Sequence, residues 1–375
     1  MSVAIPEKAS VAVLTDLKTF EFKQYDLPEI AEDEVLVRIE GCGVCGTDVH
    51  EYRNDPFGVM PIVLGHEGTG EIVKMGPKIS KDSIGNAVEL GSKIITSIIP
   101  CGECDPCVNT PGRTNLCENM GCYGLMGDQP ENRFNGWFGE YLVLKPGSTF
   151  FNVSEFSLKE RILIEPVAVA VHAVERAKTT QLLNFASTVL IQGAGPIGLS
   201  VIAVLKTLGI QNIIAVDGQE SRLKLAKNLG ASEVINYMDF DSTEALADKV
   251  ESLTKGRGAK FAFQCTGVPA AASTALKLVE RGGGLCEVGF FVDNGEASIN
   301  PHFDICNKEI TLVGSWAYSP EDYPNAIECM KGIKRIGLPI ESLVTHEFPL
   351  EELTEAVETN IRMEGIKVIT VNKTN

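Results

Sequence analysis

Two hydrophobic rhythms divide the chain. Up to about residue 150, short apolar runs recur between turn residues: VAVLT, EVLVRIEG, GTGEIVKMG, SKIITSIIP and EYLVLKP. Short β-branched and aliphatic runs punctuated by Gly and Pro predict strands, so this region reads as an irregular all-β domain. Past about residue 160 the texture changes. RILIEPVAVAVHAVERA is apolar all round a helical wheel, which predicts a buried helix. STVLIQGAGPIGLSVIAVLKTLG then runs strand, turn, helix. NIIAVD and SRLKLAKNLGA repeat that order, and EVINY, AKFAFQCTG, GGGLCEVGF and EITLVGSW continue it. Such alternation predicts a parallel doubly wound sheet, and an α/β fold class for the whole. The tail from about Ala317 ends in the helical LEELTEAVETNIRMEG and the strand IKVITVN. It holds too few elements to stand alone and is expected to pack on the first domain. The expected division is 1–173 with 317–375 for one domain and 174–316 for the other.

A chain of 375 residues exceeds one ordinary core, in keeping with two domains. Its 44% hydrophobic and 22% charged residues suit a soluble globular protein. The formal net charge of -17 repels phosphate backbones, which argues against nucleic acid as a partner. No apolar run is long enough to span a bilayer, and MSVAIPEKASVAVLTDLKTF has no basic segment leading into an apolar one. A cytoplasmic location without membrane contact is expected. In a reducing compartment, clustered cysteines bind metal or catalyse more often than they form disulfides, and this chain has 11.

The run G-A-G-P-I-G holds Gly193, Gly195 and Gly198 with Pro196 and Ile197 between the last two. It follows the strand at Thr188–Ile191 and opens a helix, the context in which this pattern binds a dinucleotide. One glycine permits the turn, the next admits a pyrophosphate to the backbone, and the last lets helix and strand pack. The helix N-terminus adds N–H donors and a positive dipole end. The next strand ends at Asp217, where a carboxylate accepts from a ribose 2′-hydroxyl and repels a 2′-phosphate. NAD is expected over NADP. Arg222 nearby is the one group that favours a phosphate.

PCGECDPCVNTPGRTNLC spaces Cys101, Cys104, Cys107 and Cys117 as C-x2-C-x2-C-x9-C. Four thiolates on a Pro- and Gly-bounded loop suit a closed, structural zinc site. An iron–sulfur cluster uses the same first spacing, but its last cysteine comes sooner and precedes proline, whereas Cys117 precedes Glu118. A second grouping starts in GCGVCGTDVH, residues 41–50. Cys45 there and His66 in LGHEGTG pair a soft with a borderline ligand, which suits zinc. Glu165 lies between apolar residues and Pro166, and a metal gives a carboxylate reason to be there. Three protein ligands leave a position open, as in catalytic sites. Cys42 reads as packing.

At these residues the chain resembles the zinc-dependent medium-chain dehydrogenases and reductases. The resemblance rests on C-G-V-C-G-T-D-V-H, on G-H-E-x2-G-x5-G from Gly65 to Gly76, on the four-cysteine lobe and on G-A-G-P-I-G. It covers nearly the whole chain. It implies a GroES-like catalytic domain, a Rossmann coenzyme domain and reversible oxidation of an alcohol by NAD. Carried over by position, Cys45 and His66 bind catalytic zinc and Glu67 is an alternate ligand. Asp48 orients His66, and Thr47 takes the substrate proton on its way through the cofactor ribose to His50. Lys367 matches a basic residue that reaches the cofactor phosphates. Thr266 in Q-C-T-G, with Val288 and Gly289, matches segments lining the nicotinamide pocket. Relatives assemble as homodimers or homotetramers.

The sequence Ile164-Glu165-Pro166 resembles the polyol, sugar and threonine branch, closest to sorbitol dehydrogenase, where simple alcohol dehydrogenases often have cysteine. A polyol or sugar-type secondary alcohol is therefore the expected substrate, with threonine or a simple alcohol as alternatives. A zinc-free reductase, a non-catalytic NAD sensor and a zinc-ribbon nucleic-acid binder are weaker readings. The chain departs from the family in a lobe two residues longer than usual between its last cysteines. It departs again at Trp137 and Gly139, where Trp137 is a candidate for narrowing the pocket. His302 reads as a surface histidine or a substrate contact.

Overall fold

The apolar runs before residue 150 become strands. In the computed structural model, which describes residues 5–373, β1 (Lys8–Asp16), β2 (Thr19–Asp26) and β3 (Val35–Val44) are followed by helix α1 (Gly46–Asn54). The outermost residues of the expected first domain lie outside that range. Next come β4 (Ile62–Val63), β5 (Glu67–Met75), β6 (Lys93–Thr96), α2 (Asp105–Asn109), β7 (Tyr141–Leu144), β8 (Phe150–Asn152) and α3 (Leu158–Lys178). The alternating part is β9 (Thr188–Gln192), α4 (Pro196–Thr207), β10 (Asn212–Asp217), α5 (Glu220–Asn228), β11 (Glu233–Asn236), α6 (Thr243–Leu253), β12 (Ala259–Gln264), α7 (Pro269–Leu278), β13 (Val279–Glu287) and β14 (Thr311–Gly314). The chain closes with α8 (Tyr323–Arg335), β15 (Val344–Pro349), α9 (Leu353–Ile361) and β16 (Lys367–Val371).

Two compact units result. The first gathers the chain through Glu165, Ser319–Pro324 and everything from Val344 on. Its seven-stranded sheet runs β15-β16-β3-β5-β6-β8, with β7 also on β3. Strand β3 is the spine. One edge pairs with β5 throughout, while the other is shared by β7 at Val35–Arg38 and β16 at Gly41–Val44. A strand from the end of the chain thus finishes a sheet begun near its start. Val37, Ile39, Ile72, Ile94, Leu142 and Val368 fill the core together with Trp137 and Phe138.

Trp137 does not border a pocket. It is fully buried, its Nε1 donates to Thr96 Oγ1 at 3.1 Å, and its ring lies over Gly68. A Cβ on Gly68 would stand 2.1 Å from the indole. The ring is therefore a core element, placed there because its one polar atom finds a partner while the rest is apolar. Gly139 forms a bridge with Val11 of β1, and a Cβ there would stand 3.0 Å from the Val11 methyl, so the position is tight for any larger residue.

The second unit is a six-stranded parallel sheet in the order β11-β10-β9-β12-β13-β14, with the order reversing between β9 and β12. Leu190, Ile214, Ala262 and Leu285 line one face under Leu246 and Val250 of α6 and Ala275 and Leu276 of α7. Residues 325–343 group with this unit and not, as the tail was expected to, with the first. Helix α8 meets α4 there, with Thr207 Oγ1 3.5 Å from Cys329 Sγ. Among the described residues no helix is long and apolar enough to cross a membrane.

Replacing Gly68 with alanine puts a methyl inside the Trp137 ring. Chemical denaturation is expected to show a loss of about 1–3 kcal/mol; an unchanged midpoint would refute this packing.

Candidate active site and metal centres

The stretch GCGVCGTDVH is the end of β3 followed directly by α1. Cys45 is the N-cap and Asp48 the third helical residue, and the Asp48 carboxylate accepts from the Cys45 N–H at 2.7 Å. Its other oxygen accepts from the Gly65 N–H at 3.1 Å and lies 3.7 Å from His66 Nδ1. One fully buried carboxylate thereby joins the Cys45 turn to the segment bearing His66 and Glu67. Asp48 thus stands beside the His66 ring it was expected to orient, without a hydrogen bond to it.

The donor atoms of Cys45, His66 and Glu67 lie within 4.8 Å of one another. His66 Nδ1 is buried without a hydrogen-bond partner. Burial works against a charge on His66, but Asp48, Cys45 and Glu165 outweigh it and raise the ring well above its ordinary value. Anions converging on one imidazole call for a cation, and a sulfur, a nitrogen and an oxygen donor suit zinc. The residues fit that metal. Glu165 is buried in the middle of α3, one residue before Pro166, so it is not a helix-end carboxylate. Its charge is felt at both His66 and Lys367, although it lies outside the close donor cluster.

Lys367 differs from expectation. It is 2% exposed, and its Nζ donates to both Glu67 oxygens at 2.6 Å and to the Val44 carbonyl at 3.3 Å. Its three donors are thus committed within the site and not to a cofactor phosphate. Burial opposes its charge, yet Glu67 and then Cys45 raise it above the usual lysine range. Thr47 is buried with Oγ1 3.7 Å from Cys45 Sγ, and His50 is half-buried one turn on. Burial, and next Arg53, hold the His50 ring below its ordinary value and so neutral.

Glu51 escaped the reading of the sequence. It is fully buried, and burial first, then Asp55, push its carboxyl up to about 7. The only signal for it was a like-charged pair at i, i+4 on a helix, which a sequence cannot distinguish from two solvated residues.

The four lobe cysteines bring their sulfurs within 4.8 Å of one another. The Cys101 and Glu118 N–H groups point to Cys117 and Cys104 sulfurs at 3.2 and 3.5 Å, and Cys104 N–H to Cys101 Sγ at 3.4 Å. Such N–H donors favour thiolates, so the lobe fits a four-sulfur metal site. All eleven cysteines are free of disulfides.

In the second unit Gly193 has φ +93°, and a Cβ on Gly198 would meet the Gly193 carbonyl at 1.9 Å. Gly195 caps α4, with Pro196 and Ile197 in its first turn. Asp217 ends β10 and accepts from the Ala194 N–H at 2.8 Å and the Gln219 N–H at 2.9 Å. It braces the turn it was expected to accompany. A Cβ on Gly195 would lie 4.0 Å from an Arg222 guanidinium nitrogen, and one on Gly193 2.5 Å from the Thr266 methyl, so both side chains gather at the turn. Val288 and Gly289 follow β13 beside them. His302 is exposed on a short π-helix at Pro301–Cys306.

A doubly wound sheet with a glycine turn, together with a unit holding a mixed-donor cluster and a four-thiol lobe, defines a metal-dependent dinucleotide dehydrogenase. The comparisons carry this further. Residues 31–155 match the alcohol dehydrogenase GroES-like domain, and residues 196–332 match the zinc-binding dehydrogenase domain. Sorbitol dehydrogenase of Bacillus subtilis is 33% identical over 97% of this chain and 97% of its own. L-idonate 5-dehydrogenase of Vitis vinifera is 31% identical, covering 95% and 92%. The solved alcohol dehydrogenase of Thermotoga maritima superposes with a TM-score of 0.90 at 30% identity, over 98% of this chain and 100% of that one. The chain belongs to the zinc-dependent medium-chain dehydrogenase family. It is an oxidoreductase of CH–OH groups that uses zinc and a nicotinamide dinucleotide.

Removing the Lys367 ammonium leaves the Glu67 carboxylate buried and unpaired. Lys367→Ala is expected to cost about 3–5 kcal/mol in denaturant unfolding of the metal-free protein; a loss near zero would show that Glu67 has another counter-charge. Glu51 makes a different prediction. The folded protein holds its proton more tightly than the unfolded chain, so its contribution is complete below the ordinary carboxyl range. It is lost as pH rises toward about 7. Glu51→Gln lacks this dependence, so its stability relative to wild type should climb by about 1–3 kcal/mol between about pH 5 and 8. A difference that stays flat with pH would contradict a buried, titrating Glu51.

Proposed function

We propose that the chain is an NAD-linked polyol dehydrogenase, interconverting a polyol or sugar-type secondary alcohol and its ketone. The observation that carries this is the Cys45–His66–Glu67 donor cluster, with Glu67 held by Lys367 and Glu165 within charge reach. The relatives named for sorbitol and idonate lend the substrate class. Cys45, His66 and Glu165, with Glu67 as alternate, would hold the catalytic zinc, and Cys101, Cys104, Cys107 and Cys117 a structural one. Bound there, zinc supplies Lewis-acid polarisation of the hydroxyl, and the nicotinamide supplies hydride acceptance.

The chain's own groups handle the proton. Thr47 Oγ1 accepts it from the substrate hydroxyl while giving up its own. His50, three residues along the same helix and on the same face, is the group nearer solvent, and it is neutral and so able to receive. Asp48 keeps the Cys45 and His66 segments in register throughout. For the cofactor, Gly193, Gly195 and Gly198 would admit the pyrophosphate, with Pro196 and Ile197 opening the helix that caps it and Arg222 over the turn. Asp217 favours NAD through its carboxylate. Thr266, Val288 and Gly289 would wall the nicotinamide. The partner reading is a small-molecule alcohol and a second copy of this chain, as homodimer or homotetramer. The outer strand β14, with Leu312 54% exposed, favours assembly there. Free thiols throughout suit a cytoplasmic setting.

The test is NADH formation from NAD across sorbitol, xylitol, other sugar alcohols, threonine and simple alcohols, before and after chelation and zinc return. Polyol turnover lost with zinc and regained with it is the expected result. Turnover of threonine or ethanol alone would move the assignment to a sibling branch.

A further inference from the structure

The second unit carries polar residues at strand ends where a doubly covered parallel sheet is ordinarily apolar. Gln192 ends β9, Gln264 ends β12 and Glu287 ends β13, and strand pairing sets Gln192 beside Gln264 and Gln264 beside Glu287. Gln264 is fully buried and Gln192 nearly so. The row straddles the reversal of strand order, which is where open α/β sheets take their ligands.

Its hydrogen bonds run outward into the loops. Gln264 Nε2 donates to Glu287 Oε1 at 2.9 Å and to the Thr266 carbonyl at 2.8 Å, and its Oε1 accepts from the Thr266 N–H at 2.5 Å. Glu287 Oε1 also accepts from the Gly289 N–H at 3.0 Å. The Glu287 carbonyl accepts from the Ser315 N–H at 2.9 Å, which brings in the loop after β14. Thr266 presses on the glycine turn at Gly193, and Gly289 lies so close under Thr266 that a Cβ would stand 1.9 Å from its carbonyl. At the other end of the row, Gln192 Oε1 is buried with no hydrogen-bond partner. Burial raises the Glu287 carboxyl, and the Gly289 and Gln264 donors pull it back. Glu287 is half-buried, and its Oε1 gathers one donor from Gln264 and one from the loop after β13, so the carboxylate ties the strand end to that loop.

We propose that Glu287 is a positioning residue for the coenzyme: acting through Gln264, it fixes Thr266 and Val288–Gly289 in the arrangement that receives the nicotinamide end of the dinucleotide. The proposal rests on the reading above that these residues wall the nicotinamide. What Glu287 supplies is one acceptor oxygen, Oε1, which takes both the Gln264 amide and the Gly289 N–H. A glutamine in its place keeps that oxygen, whereas a leucine loses it.

The test compares two ligands that differ only at the nicotinamide end. NADH and ADP-ribose are titrated by fluorescence or calorimetry against the zinc-loaded wild type, Glu287→Gln and Glu287→Leu. For Glu287→Leu, NADH is expected to weaken about tenfold or more while ADP-ribose shifts less than about twofold, and Glu287→Gln should recover most of the loss. Equal weakening of both ligands would mean general damage to the unit and overturn the proposal, as would unchanged NADH affinity. Should Glu287→Leu not fold, the double variant Gln264→Leu/Glu287→Leu removes both partners together, which spares the core an orphaned amide. It should still lose NADH selectively, and wild-type NADH affinity in it would equally overturn the proposal. Wild-type protein that binds ADP-ribose but gains nothing from the nicotinamide would instead count against the pocket reading itself.

Discussion

The ion pair of Glu67 and Lys367 is the constraint on which the first unit depends. It joins the first residue of β5 to the first residue of β16, 300 positions apart in the chain, and both partners are nearly water-free. Two charges at such depth are tolerable only together, so neither strand can leave the sheet without exposing the other's cost. Their meeting seats β16 on the same β3 segment that leads into Cys45. The donor cluster is thus assembled by a strand from the far end of the chain, and the sheet that carries the site is complete only when that strand is in place.

Around this pair the protein concentrates charge at depth and resolves it with geometry. Asp48 spends both oxygens on backbone N–H groups, which ties two segments together while leaving it beside His66. Glu165 reaches the same region from within α3. The result is an excess of anionic donors around one imidazole and one ammonium, an environment suited to a dication. The coenzyme unit applies the same logic more sparingly. Asp217 braces the glycine turn, and Gln264 with Glu287 holds Thr266 and Gly289 in the loops opposite.

Much of this was legible in the chain. Strand–turn–helix alternation with G-A-G-P-I-G specifies the parallel sheet because local periodicity and glycine sterics act within a few residues. Spacing alone announced the four-thiol lobe. Cys45 and His66 were legible as a soft and a borderline ligand type, and Glu67 through the resemblance of G-H-E to the family motif. The roles of Trp137, Lys367 and Glu51 were not. Whether an indole borders a pocket or fills a core depends on Gly68 and Thr96, and whether a lysine meets phosphate or carboxylate depends on a strand three hundred residues away. Residues 325–343 were misplaced for a related reason: their helix is amphipathic, and nothing in its pattern says which unit supplies the other half of the contact.

The sequence by itself determined the elements, the dinucleotide turn and the two sets of metal-binding residue types, since each is written in neighbours along the chain. Only the tertiary structure decided that Lys367 belongs to Glu67, that Glu51 is buried, and that Glu287 and Gln264 share a row at the strand ends. Those are long-range pairings between charged or polar groups. Their energies turn on burial and on a partner's distance, and neither quantity exists until the chain has folded.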